Sequence, residues 1–247
     1  METRNTDYDY KNVIQLSGTE ETTRKFMASV FLWMFVALGI SAGFAYYFAH
    51  DQSLMELLIN PATGHNTTFG TIVIFAPLAF ILIMSFGMNK IAYPILLVLF
   101  IAFAAMMGIS LSFIFLVYTS ALISTVFLTT SLVFGVMAVA GYTTHQDLTK
   151  FGGILIMALF GIIIASFVNF FMHSEAIEYI ISYVGVAVFV GLTAYDVQRL
   201  KRIAEGIEYG QASAGKMALM GALTLYLDFI NLFIMLLRVF GGSGRRS

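Results

Sequence analysis

The sequence contains no cysteine. Disulfides, nucleophilic thiolates and thiolate-bound metals are therefore all excluded. Charged side chains are also scarce: they make up 11% of the 247 residues, where soluble domains carry about 25%. A chain this poor in charge lacks the polar surface that covers a water-soluble globule. Its net charge of −1 likewise provides no positive field that would attract nucleic acid, so we expect no nucleic-acid partner.

Long apolar runs take the place of the missing charge. Hydrophobic residues make up 59% of the chain, and a transmembrane helix needs about 20 of them in succession. The sequence thus predicts an all-α integral membrane protein with seven transmembrane helices. We predict spans at residues 26–49, 71–88, 91 into the 110s, 121–142, 153–172, 177–200 and 218–240, with the weakest boundary at 118–120. The membrane domain then covers residues 23–240, between a polar N-terminal tail at 1–22 and a short C-terminal tail at 241–247.

The distribution of basic residues predicts the orientation, because Lys and Arg concentrate on the cytoplasmic side. With the N-terminus inside and the C-terminus outside, ten of the thirteen basic residues lie in the cytoplasm and only three lie outside. The ten are Arg4, Lys11, Arg24, Lys25, Lys90, Lys150, Arg199, Lys201, Arg202 and Lys216. The three are Arg238, Arg245 and Arg246. We therefore expect a multi-pass membrane protein with a cytoplasmic N-terminus and the C-terminus outside.

Small residues in two spans predict close helix contacts. Gly39 and Gly43 form a GxxxG spacing in span 1, which we interpret as a packing face. Span 3 offers a second small-residue face with Ala102, Ala104, Ala105 and Gly108.

The feature that most needs explanation is a pair of acids inside the last two spans. Asp196 and Asp228 are the only Asp or Glu residues within the hydrophobic runs. A carboxylate at the bilayer centre costs ~2.5–3.5 kcal/mol on insertion scales. A chain keeps such a group when it faces other helices, finds a partner or has a chemical task. We therefore predict that both aspartates are functional.

The spacing of the two aspartates predicts that they face each other. Apolar residues recur at helical intervals after Asp196, so helix 6 should continue as an amphipathic extension to about Glu208. A turn at residues 210–215 then reverses the chain. Asp196 lies 16 residues before Ala212 and Asp228 lies 16 residues after it. In an antiparallel hairpin, equal distances from the tip place two residues at the same height.

Two carboxyl groups at the same height in a medium of low dielectric do not both ionise easily, so the pair is expected to titrate as a unit. With one shared proton the pair clamps the two helices; with none it repels or takes a cation. Ca²⁺ prefers oxygen ligands, and Asn231 would add one to a weak, transient site. The structural alternative is that each aspartate only hydrogen-bonds Tyr195, Tyr226, Asn231 or a backbone carbonyl and fixes the helix register.

The segments GVAVFVGLTAYDVQRLK and ALTLYLDFINLFIMLLRVFGG resemble the last two helices of the transmembrane Bax inhibitor motif family, in its bacterial branch. The resemblance implies two three-helix layers around a central C-terminal helix. It also implies a pH-sensitive calcium leak, with Asp196 and Asp228 as the sensor. Family members can carry a basic latch at the inner end of helix 2. This sequence has Asn89 and Lys90 there, so an arginine latch is absent and Lys90 would substitute as a point charge.

Three functions remain open from the sequence. The first, which follows the resemblance, is a pH-gated cation leak of a bacterial inner membrane. Its partners are the lipid bilayer, Ca²⁺ and protons, and it has no resident cofactor and no enzymatic activity. The second is a non-conducting regulatory protein that binds a membrane protease or another membrane protein. The third is an intramembrane aspartyl hydrolase that uses both acids.

Overall fold

The computed structural model describes residues 6–206 and 212–242, with side chains at 20–206 and 214–242. The described residues form nine helices. They are α1 (Thr6–His50), α2 (Gln52–Leu58), α3 (Thr68–Gly87), α4 (Tyr93–Leu111), α5 (Ile114–Val117), α6 (Ser120–Thr143), α7 (Thr149–Met172), α8 (Glu175–Glu205) and α9 (Ala212–Gly241). Helix α1 begins at Thr6 and so includes most of the predicted polar tail.

Seven helical stretches are long and apolar enough to cross a membrane, as predicted. The third stretch, Tyr93–Val117, consists of α4 and the short α5. The weakest predicted boundary is also correct, because α5 ends at Val117 and α6 begins at Ser120. The hydroxyl of Thr119 accepts a hydrogen bond from the Leu122 amide at 3.3 Å and so caps the new helix.

Helix α9 lies at the centre of the bundle, as the resemblance implied. It packs against α1 and α4 on one side and against α6 and α8 on the other. One layer consists of α1, α3 and α4, and the other of α6, α7 and α8. In the α9 span, 72% of the membrane-crossing window is buried, while no other span exceeds 39%. This central position gives Asp228 a protein environment rather than a lipid one.

The extension of α8 beyond Arg202 that the amphipathic pattern predicted is present. Helix α8 runs without a break past Arg202 to Glu205. The predicted continuation to Glu208 and the first part of the turn lie outside the described residues. We call the end of the bundle where α8 ends and α9 begins the hairpin end, and the other end the opposite end.

The prediction that Gly39 and Gly43 form a packing face is wrong. A Cβ atom built on either glycine meets no atom within 4 Å, so both face open space. The close approach occurs elsewhere: a Cβ on Gly108 would collide with the backbone of Ser41, and one on Gly141 with the backbone of Ala194. Gly108 of the predicted span 3 face thus makes a close helix contact, whereas neither glycine of the GxxxG spacing in span 1 does.

Candidate functional site

Asp196 of α8 and Asp228 of α9 lie side by side, about midway along the last membrane span. Their exposed fractions are only 7% and 6%, and their carboxyl groups lie close enough to interact directly. Two neighbouring carboxyl groups in a medium of low dielectric do not both ionise easily, so the arrangement favours one proton shared by the pair. The equal spacing around the hairpin thus predicted the correct height, and the packing of α8 on α9 supplies the correct rotation.

One oxygen of the pair has no partner. Oδ2 of Asp228 is buried and accepts or donates no hydrogen bond within the described part of the chain. A buried polar atom without a partner is unfavourable by about 1–3 kcal/mol. Such an atom is uncommon in a purely structural contact, where both oxygens are normally satisfied. This oxygen is therefore free to accept a further hydrogen bond or to contact a cation.

Arg199 is the charged side chain nearest to the pair. Its Nη1 atom lies 3.9 Å from Oδ1 of Asp196, one helical turn further along α8. The guanidinium is 58% exposed, so solvent screens most of this interaction. Arg199 therefore faces the pair from the hairpin end without neutralising it.

The predicted supporting residues do not hydrogen-bond the aspartates. Tyr226 shares a hydrogen bond of 2.7 Å with the Ser41 hydroxyl, and Asn231 donates to the carbonyl of Leu227 at 2.8 Å. Tyr195 packs with its ring against Gly152 of α7. Helical rotation explains the difference for the tyrosines, because successive residues point about 100° apart. The form of the structural alternative in which these three side chains hold the acids thus finds no contact to support it.

Asn89 and Lys90 lie exposed in the turn between α3 and α4. Within the described residues, neither side chain makes a hydrogen bond or an ion pair to Asp196 or Asp228. The nearby carbonyl of Met88 accepts a hydrogen bond from Nζ of Lys216 at 3.3 Å, which ties this turn to the start of α9. The latch role of Lys90 stays a prediction.

Sequence reasoning missed a buried hydroxyl network in the middle of the bundle. The Ser41 hydroxyl donates to the carbonyl of Ala104 at 2.7 Å and also contacts the Tyr226 hydroxyl. Ser41 and Tyr226 have exposed fractions of 1% and 0%. The network joins α1, α4 and α9. A serine in the middle of an apolar run was the available signal, because such a hydroxyl needs a partner in hydrocarbon.

Sequence reasoning also missed a set of contacts that holds the α6–α7 loop, residues 144–148, against α8. The Gln198 side chain accepts from the Leu148 amide at 2.9 Å and donates to the Gln146 carbonyl at 2.8 Å. Nearby, Nζ of Lys201 donates to the Tyr142 carbonyl at 3.0 Å. Gln198 follows Asp196 by two residues and Lys201 follows it by five, so the loop is fixed within about one and a half helical turns of the acid pair.

An ion pair completes the loop contacts. Arg202 lies 2.8 Å from Asp147. Hydrogen bonds from the side chain and the amide of Thr149, together with Arg202, lower the pKa of Asp147 to about 2. The pKa of Asp147 in the folded protein lies below its ordinary value. The stabilisation that the ionised carboxylate gives the fold is therefore complete above the ordinary pKa and is lost only as the pH falls through about 2. The loop contact is therefore constant over physiological pH.

We expect Gln198→Ala to loosen this loop, because it leaves two backbone groups of the loop without partners, at a cost of about 1–3 kcal/mol. Hydrogen–deuterium exchange should accelerate at the amide of Leu148. The matched control is Gln146→Ala, which removes the same kind of side chain from an exposed position in the loop. Unchanged exchange at Leu148 in Gln198→Ala would show that the loop is held by other contacts.

A polar cavity of about 650 Å³ lies at the opposite end of the bundle. Its charged lining residues are Glu175 and Glu178 from the start of α8 and Arg238 from the end of α9. Between this cavity and Asp228, the α9 side chains Leu232 and Phe233 are buried. The opposite-end cavity and the aspartate pair are thus separated by an apolar segment.

Comparison with known proteins extends over nearly the whole chain. The family model described as inhibitor of apoptosis-promoting Bax1 matches residues 23–245, which include both aspartates. Inner membrane protein YbhL of Escherichia coli K12 is 46% identical over 217 residues, covering 87% of this chain and 91% of that protein. An uncharacterized protein of Borreliella burgdorferi is 41% identical over 217 residues, covering 88% and 91%. One of Rickettsia prowazekii is 38% identical over 225 residues, covering 90% and 91%.

Proposed function

The chain belongs to the Bax inhibitor-1 family of membrane proteins, and on that premise we propose that it is a pH-gated leak for cations, with Ca²⁺ as the permeant ion. The observation that carries the proposal is the buried pair of Asp196 and Asp228 on the two helices of the central hairpin, with one Asp228 oxygen left unpartnered. We further propose that the membrane is a bacterial inner membrane, as the name of the Escherichia coli relative states for that protein. The positive charge distribution favours a cytoplasmic N-terminus.

The pair would gate through its proton. While one proton is shared, the carboxyl groups hold α8 against α9. When that proton leaves, two negative charges repel each other in a site of low dielectric, and a cation becomes the favoured partner. The described residues contain no group of three or more His, Asp or Glu side chains that could hold a metal. A Ca²⁺ ion at the pair would therefore complete its six to eight oxygen ligands largely with water, which suits a transient site on a permeation path.

The apolar segment between the pair and the opposite-end cavity supports a closed state. Leu232, Phe233, Leu236 and Leu237 of α9 are all buried there. Hydrated cations do not cross a packed apolar layer, so conduction requires that α8 and α9 separate. Repulsion between the two aspartates acts on those same helices. The acidic residues at the opposite-end cavity, Glu175 and Glu178, would attract cations to its mouth.

A flux measurement tests the proposal. The purified protein is reconstituted into liposomes that contain a Ca²⁺ indicator, and Ca²⁺ entry is followed at several pH values. We expect entry above that of protein-free liposomes, with a rate that depends on pH. A rate equal to that of protein-free liposomes at every pH would refute the leak.

One observation favours a second candidate, a non-conducting protein with a membrane partner. Only 6% of the α7 window is buried, and α7 presents large exposed side chains such as Phe160, Phe167 and Phe171. Such a face suits contact with another membrane protein, including a membrane protease, as well as contact with lipid. Absent flux together with a partner cross-linked through α7 would favour this function. Peptide cleavage that is lost on replacement of either aspartate would instead favour a hydrolase.

A further inference from the structure

A long apolar groove runs along the outside of the bundle between α1 and α6. It has a volume of about 760 Å³, and Phe229 of α9 forms part of its floor. Its walls include Phe35 and Val139, which are exposed on the lipid-facing surface. Ser131 is a polar residue in the wall, and its hydroxyl already donates to the Phe127 carbonyl at 2.8 Å. The groove therefore opens towards the membrane and suits a hydrocarbon chain.

Two glycines keep the groove wide. Gly39 of α1 and Gly135 of α6 both line it, and a Cβ atom on either would meet nothing within 4 Å. Along α1 the groove extends from Arg24 to Ala42, a length of about 27 Å at the usual helical rise. The hydrocarbon core of a bilayer is about 30 Å thick. The groove is therefore long enough to hold a complete acyl chain parallel to the helices.

A positive group marks one end of the groove. Arg24 and Tyr142 line it at the hairpin end, and Nζ of Lys201 lies 4.9 Å from the centre of the Tyr142 ring. The neighbouring Lys25 is paired with Glu21 at 2.6 Å. Among the described residues Arg24 forms no ion pair, but Glu21, three residues before it, lies close enough for the two charges to interact. An exposed guanidinium matches the geometry of a phosphate group and binds it through two parallel hydrogen bonds.

We propose that the groove between α1 and α6 binds an anionic phospholipid, with one acyl chain along the groove and the phosphate at Arg24. The charge of Lys201 near Tyr142 favours an anionic headgroup over a zwitterionic one. The occupant touches α1, α6 and α9 at once, and Phe229 in the floor directly follows Asp228. The lipid therefore stabilises the helix arrangement that holds the acid pair together. Binding itself does not depend on whether the protein conducts.

Native mass spectrometry of the full chain in detergent, titrated with phosphatidylglycerol or phosphatidylcholine, tests the site. We expect a first phosphatidylglycerol to bind roughly tenfold more tightly than phosphatidylcholine. Arg24→Gln should remove most of this preference, and Lys25→Gln should keep it. Gly135→Leu places a side chain about 10 Å along the groove from Tyr142 and should weaken binding of both lipids at least about tenfold.

The control for the groove-filling variant is Gly161→Leu. Gly161 of α7 also faces open space, but it does not line the groove. The Gly161→Leu variant should bind both lipids as the unchanged protein does. The proposal is overturned if Gly135→Leu binds lipid like Gly161→Leu, or if Arg24→Gln keeps the preference for phosphatidylglycerol. Because Arg24 is exposed, its replacement gives a result even if Gly135→Leu does not fold.

Discussion

Replacing Asp228 with asparagine should abolish the pH response of Ca²⁺ flux while the fold survives. Asparagine stays neutral at every pH and its amide donates a hydrogen bond to Asp196, so α8 and α9 stay packed without a titrating pair. In the unchanged protein we expect the rate to vary at least about tenfold between roughly pH 5 and pH 8, as the shared proton is bound or released. In Asp228→Asn the ratio of the two rates should fall to about one. Liposome flux at matched protein density is the measurement.

The two aspartates should behave as one unit. Asp196→Asn should also flatten the response, and the double variant should resemble either single variant, because each change alone already removes the pair. The matched control is Glu205→Gln, which makes the same kind of change at an exposed position at the end of α8 and should keep the pH response. A normal pH response in Asp228→Asn would refute the sensor hypothesis and leave the pair with a structural role.

Adding one methyl group at Gly141 should destabilise the protein. Its Cβ would fall on the backbone of Ala194, two residues before Asp196, and a backbone cannot rotate away as a side chain does. Overpacking of this kind typically costs about 1–3 kcal/mol. For a cost of about 2 kcal/mol, we expect Gly141→Ala to lower the Tm by roughly 4–8 °C. Thermal unfolding in detergent, followed by the loss of monodisperse protein, measures the change.

Gly135 on the same helix supplies a control for which we expect no fall in Tm. It faces the open groove, and alanine favours a helix interior over glycine by up to about 1 kcal/mol. Gly135→Ala should therefore leave the Tm unchanged or raise it. Equal Tm values for Gly141→Ala and Gly135→Ala would show that α6 and α8 do not approach as closely as the structure has them.

The sequence by itself determined the membrane class, the number of spans and the height of the aspartate pair. Each of these depends on a property that is readable along the chain. A run of about 20 apolar residues has the length of a bilayer crossing, whatever it packs against. Asp196 and Asp228 are conspicuous because charge in hydrocarbon is costly, and equal spacing from a turn fixes their height in a hairpin. The boundary at residues 118–120 was predictable for a similar reason, because a polar break interrupts two apolar runs.

Only the tertiary structure decided which way each helix faces. In a membrane, lipid-facing and buried positions are both apolar, so hydrophobic periodicity does not mark the buried side as it does in water. Gly39 and Gly43 therefore have the spacing of a helix contact but face open space. Gly141, which has no such spacing, packs closely against the backbone of Ala194. Tyr226 lies two residues from Asp228, yet rotation about α9 directs its hydroxyl to Ser41. The groove between α1 and α6 likewise depends on three helices that are distant in sequence, and only their packing brings its walls together.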